Sequence, residues 1–197
     1  MAKTEDVSTA RLEAFSDGVI AIIVTIMVLE LKAPEETSVE ALLALWPIFF
    51  SYALSFLIVA IYWVNHRHVI RYASRVTPLL LWINMLVLFT ISLIPFATAW
   101  LGDHLTAPVP NVAYGLVLIA GGVSFLALTE IVNRQNAHRA DLSSVIRGSR
   151  IKGAITLTLY IAGVALAAFI PGAVLLTAGL AAILYFVPTT PNAAQSR

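Results

Sequence analysis

The chain has 197 residues, of which 59% are hydrophobic and 12% charged, with no cysteine and a formal net charge of +1. Charged residues near a quarter mark an ordinary soluble domain, so a mean hydropathy of +0.88 places this chain in the bilayer instead. Without cysteine there is no disulfide framework, thiolate metal site or cysteine nucleophile.

A helix needs about 20 mostly apolar residues to cross a bilayer core roughly 30 Å thick. Six segments approach that length: 15–31, 42–64, 77–100, 111–132, 151–170 and 173–187. The first should start in polar sequence near Ser8 or Thr9. It reads as a retained helix rather than a cleaved leader, because Glu5, Asp6, Glu13 and Asp17 precede its apolar core where a leader is basic. In the third, Pro78 sits harmlessly near the start and Pro95 should kink the helix. Pro171-Gly172 joins the last two as a tight turn. No internal repeat is visible, and the tail 188–197 should be loose.

The basic residues set the orientation. Lys3 and Arg11 precede the first span. Arg67, Arg71 and Arg75 separate spans two and three; Arg134, Arg139, Arg147, Arg150 and Lys152 separate four and five; Arg197 ends the chain. Only Lys32 lies on the other side, with Glu30, Glu35, Glu36, Glu40 and Asp103. The positive-inside rule then puts both termini in the cytoplasm. The chain reads as one six-helix domain over residues 1–197 and is expected to be a multi-pass protein of the cell (plasma) membrane.

On a helical wheel with Ile22 at zero, Gly18, Thr25, Ile26 and Leu29 fall within about 60° of it, whereas Asp17 lies about 140° away. The stripe could form a hydrophobic constriction if several copies met at an axis, with Glu30 enriching cations at the outer mouth. An apolar stripe is also what any membrane helix shows toward lipid or protein. Arg11 and Phe15 fall on the Ile22 stripe too. Buried polar groups need partners, so Ser16, Asp17 and Asn84 should form a polar knot near the inner leaflet with residues at the end of span two, Trp63 to His68. Asp17, His66 and Ser16 carry no nucleophile-elbow spacing, and the histidines have no metal-ligand spacing, so neither an enzyme nor a structural metal site is expected.

Arg11-x-x-x-Phe15-Ser16-Asp17-Gly18 followed by Val19-Ile20-Ala21-Ile22 resembles the signature of the transmembrane protein 175 family, endosomal and lysosomal potassium channels with prokaryotic relatives. Tyr62-Trp63-Val64-Asn65-His66, and Leu81-Trp82-Ile83-Asn84 before Ser92-Leu93-Ile94-Pro95-Phe96, resemble its second and third helices. The resemblance implies an all-α integral membrane protein of six transmembrane helices per subunit, and a homotetramer with helix one lining a central pore. It places the constriction at Ile22 with Ile26 and Leu29 beyond, and a hydroxyl layer linked to potassium preference at Thr25, so permeant potassium passes near Ile22 and Thr25. Arg11, Phe15, Ser16, Asp17 and Gly18, with Trp63, His66 and Asn84, match its helix-packing motif. It implies no cofactor, and potassium and other monovalent cations as permeant ions with modest selectivity. The alternative from the residues is a proton- or cation-coupled secondary transporter using Asp17 and His66.

Overall fold

The computed structural model describes residues 8–138 and 140–186, without the side chains of 140–147; Lys3, Arg139, the Arg147 side chain, Arg197 and the tail 188–197 lie outside that description. Every regular element among the described residues is a helix. Helix α1, Thr9–Met27, starts where Ser8 Oγ accepts a hydrogen bond from the Arg11 backbone N–H at 3.3 Å, and a 3-10 turn, Val28–Glu30, continues it. A short helix α2, Val39–Ala44, is capped in the same way by Ser38 and leads into α3, Trp46–Arg71.

Thr77 caps α4, Pro78–Ser92, with Pro78 in its first turn, and α5, Ile94–Asp103, follows after a break at Leu93. Pro95 accounts for the break: it has no N–H to donate and its ring crowds the Ile91 carbonyl four residues earlier. The expected single span 77–100 is thus two helical pieces. Helix α6 is Pro108–Gln135, α7 is Ala140–Leu166 and α8 is Ala173–Phe186. Gly172, at φ +75°, turns α7 back into α8 in a conformation that side chains resist.

Among the described residues, five helical stretches are long and apolar enough to cross a membrane: Thr9–Glu30, Trp46–Arg71, Pro78–Asp103, Pro108–Gln135 and Gly148–Leu166. The apolar α8 has 14 residues, a rise of about 21 Å, short of a bilayer core. The chain is a multi-pass membrane protein. Helix ends depart from the hydropathic segments: α6 outruns 111–132 at both ends, whereas α7 starts before 151 but stops before 170.

Helix α1 packs chiefly against α3, α4 and α5, while α6, α7 and α8 pack together on the other side. The core joining them includes Ile20, Ile23, Met27, Ile58, Leu88 and Ile91. Glycines let the second group approach closely. A Cβ on Gly163 would strike Thr177 and Val174, and one on Gly115 would strike Val164. Small residues at such crossings are how membrane helices gain packing without a hydrophobic drive.

Candidate conduction face and polar knot

Helix α1 has two unlike faces. Leu12, Ser16, Ile20, Ile23 and Met27 are buried in the bundle. Arg11, Phe15, Gly18, Ile22, Thr25, Ile26 and Leu29 all lie on the exposed side. The contrast is sharp: Ile22 is 58% and Leu29 75% exposed, against 2% for Ile20 and 1% for Met27. From Ile22 to Leu29 the stripe rises about 10 Å. The Thr25 hydroxyl donates to the Ile22 carbonyl at 2.9 Å. Its proton is therefore used along the helix, and its oxygen lone pairs remain on the exposed face. Gly18 leaves open space between Phe15 and Ile22. Apolar grooves flank α1 on both sides, one toward Phe56, Ala60 and Trp63 of α3, the other toward Pro95 and Phe96 of α5.

Behind that face, the structure brings Ser16, Asn84 and His66 into one chain of hydrogen bonds. Ser16 Oγ donates to the Leu12 carbonyl at 2.9 Å and lies 3.0 Å from Asn84 Nδ2; Asn84 Oδ1 lies 2.6 Å from His66 Nε2. Proton positions follow by elimination. The serine proton is committed to Leu12, so the serine oxygen accepts and the Asn84 amide nitrogen must face it. The Asn84 oxygen then faces His66, so Nε2 carries the imidazole proton. His66 Nδ1 is buried with no partner among the described residues. All three residues are buried.

Asp17 stands apart from this chain, half-buried on the α3 flank, where Trp63 Nε1 donates to its Oδ1 at 2.8 Å. One layer nearer the helix start, Glu13 pairs with Arg67 at 3.2 Å, and the Arg67 guanidinium also lies 6.0 Å from the Trp63 ring. Arg11 and Phe15 join neither group. They stay on the exposed face where a straight helical wheel puts them, and the Arg11 side chain has no partner among the described residues.

A second buried chain was not foreseen from the sequence. Ser55 Oγ lies 2.8 Å from the Tyr114 hydroxyl and 2.8 Å from Thr98 Oγ1, tying α3, α5 and α6 together. Thr90 meets Ser124 at 3.1 Å to join α4 to α6. Single hydroxyls within apolar runs carry no spacing signature. The only available signal was their position inside spans, where a polar group must find protein. Gln135 and Asn136 clamp the α3–α4 connection through Ser74 N, Arg75 O and Tyr72 O.

The family model described as endosomal/lysosomal potassium channel TMEM175 matches residues 11–95, the stretch that holds α1, α3 and α4 with the polar chain. A potassium channel from Chryseobacterium sp. (strain P1-3) is 39% identical over 178 residues, covering 90% of this chain and 92% of that protein. The chain belongs to the TMEM175 family. A potassium channel from Streptomyces collinus (strain DSM 40733 / Tue 365) is 36% identical over 205 residues, covering 95% of this chain and 98% of that one. The crystal structure of a lysosomal potassium-selective channel TMEM175 homolog from Chamaesiphon minutus superposes with a TM-score of 0.66 at 30% identity, covering 90% of this chain and 94% of its own. The TMEM175 family consists of ion channels, not enzymes.

Proposed function

We propose that this chain is a subunit of a potassium-permeable channel whose conduction path is lined by the exposed face of α1. The observation that carries the reading is the division of α1 into a buried face and an open stripe through Ile22, Thr25, Ile26 and Leu29. One helix cannot enclose a path, so several copies must contribute, and the number implied by the family resemblance is four. The same residues then form stacked rings. Ile22 is the constriction, with Ile26 and Leu29 completing an apolar gate that water leaves readily. Between them, the Thr25 oxygens are the polar layer that an ion meets after shedding water, giving modest preference for potassium over other monovalent cations. Family relatives named as potassium channels support the permeant ion.

The chain of Ser16, Asn84 and His66, with Asp17 on Trp63, holds α1 at a fixed rotation against α3 and α4. That rotation decides which residues face the axis. The basic end, with both termini, lies in the cytoplasm of a plasma-membrane protein.

The test is potassium flux from liposomes holding the purified full chain, wild type beside Ile22→Asn. A polar side chain at the narrowest apolar ring should wet it and raise the flux. Intact oligomers with no flux from either protein would overturn the reading.

A further inference from the structure

We propose that the conduction path is electrically polar along its length: Arg11 lines its α1 N-terminal mouth and opposes cations there, Glu30 attracts them at the other mouth, and cation current passes more readily from the Glu30 end. This rests on the reading of α1 as the pore-lining helix.

Three observations carry it. First, Arg11 continues the open stripe one turn beyond Phe15, on the same side as Ile22, and its guanidinium has no partner among the described residues. Second, among the described residues, the acids nearest to it are engaged elsewhere. Glu13 is bound to Arg67, and Asp17 accepts from Trp63, both on the α3 flank and not on the open stripe. Arg11 is therefore the charge that faces the axis. Third, the whole chain is charged in the same sense. At the Arg11 end, the described residues Arg67, Arg71, Arg75, Arg134, Arg150 and Lys152 outnumber Glu13, Asp17 and Glu130. At the other end, the exposed Glu30, Glu35, Glu36, Glu40 and Asp103 face Lys32 alone. Arg11 and Glu30 lie about 28 Å apart along the helix, several screening lengths in physiological salt. Each therefore sets the ion concentration at its own mouth.

The size of the effect can be worked from Coulomb's law. Four unit charges about 8 Å from an axis, in water and screened over about 8 Å, lower the local cation concentration about threefold. At about 1 M salt, where screening acts over roughly 3 Å, the same charges change it by less than about 1.5-fold.

The experiment is single-channel recording from the full chain in planar bilayers with equal potassium chloride on both sides. The chain has no cysteine, so Thr37→Cys in the exposed loop beyond α1, reacted from one chamber with an impermeant thiol reagent, tells which end faces that chamber. In about 0.15 M salt, Arg11→Gln should raise current entering from its own end about threefold, and in about 1 M salt by less than about 1.5-fold. Arg11→Lys should behave as wild type, because it keeps the charge. If Arg11→Gln leaves that current unchanged at low salt while Ile22→Asn still raises conductance, Arg11 does not face the path and the inference is overturned. An equal change at both salt concentrations would also overturn it, since the effect would not be electrostatic. Absence of any wild-type potassium current would instead be the failure of the channel reading itself, and the inference would fall with it.

Discussion

Substituting Asn84 by Ala tests how firmly α1 is anchored. Asn84 is fully buried and joins two other helices, through Ser16 at 3.0 Å and His66 at 2.6 Å. Its removal leaves His66 Nε2–H without an acceptor, and an orphaned buried donor costs about 1–3 kcal/mol. Ser16 loses less, because its own proton stays on the Leu12 carbonyl. The reverse change, Ser16→Ala, takes away only the acceptor for the Asn84 amide and should cost about 1 kcal/mol. Because the bond is shared, the two losses must not add. Side-chain bonds between membrane helices couple by about 0.6 kcal/mol on average and up to about 1.7, and a partly solvated alternative for His66 is lacking here. The expected total for Asn84→Ala is therefore about 2–3 kcal/mol, and the coupling with Ser16→Ala about 1 kcal/mol. Reversible unfolding in mixed micelles of a denaturing and a mild detergent, followed by tryptophan fluorescence, gives all four corners of the cycle. Additivity within about 0.3 kcal/mol would refute the argument, because it would mean that the amide and the hydroxyl do not meet.

Asp17 and Trp63 give a finer contrast. Asn at position 17 keeps an oxygen for the Trp63 N–H, so Asp17→Asn should retain most of the stability that Asp17→Ala loses, about 1 kcal/mol or more in the same unfolding assay. Equal losses in the two variants would mean that the charge itself, and not the acceptor, holds α1 to α3. Thr25→Val keeps the branched shape and removes the oxygen from the open face. Reversal potentials under mixed potassium and sodium should show reduced preference for potassium with oligomers intact, and an unchanged ratio would remove Thr25 from the selectivity argument. At the α7–α8 crossing, a Cβ on Gly163 meets Thr177 and the Val174 backbone, whereas one on Gly179 meets nothing within 4 Å. Gly163→Ala should therefore destabilise by about 1–3 kcal/mol while Gly179→Ala is neutral or slightly stabilising, as read by melting temperature in detergent.

Much of this architecture is legible from the sequence where a rule is strict. Long apolar runs have to be helices in lipid, and the α1 wheel separates the open stripe from Ser16 and Asp17 because both faces follow one period. The wheel also puts Arg11 and Phe15 beside Ile22, which is where the structure holds them. Less could be read where the rule is threshold-like. Hydropathy places the fifth span at 151, but α7 starts at Ala140, since a polar helical turn can project from the membrane without an apolar signal. The short α2 was missed although Ser38 caps it, because six residues carry too little periodicity. The Ser55–Tyr114–Thr98 chain joins residues 59 and 43 positions apart, and no local pattern encodes that.

The same separations set a schedule for biosynthesis. Asn84 follows Ser16 by 68 residues, and Trp63 follows Asp17 by 46. A ribosome adding roughly 5–20 residues per second makes α1 about 3–14 s before Asn84 exists and about 2–9 s before Trp63 does. During that wait Ser16 can satisfy its proton on Leu12, but the Asp17 carboxylate still lacks its Trp63 donor. Helix α1 gains its full set of polar partners only when α3 and α4 have been made.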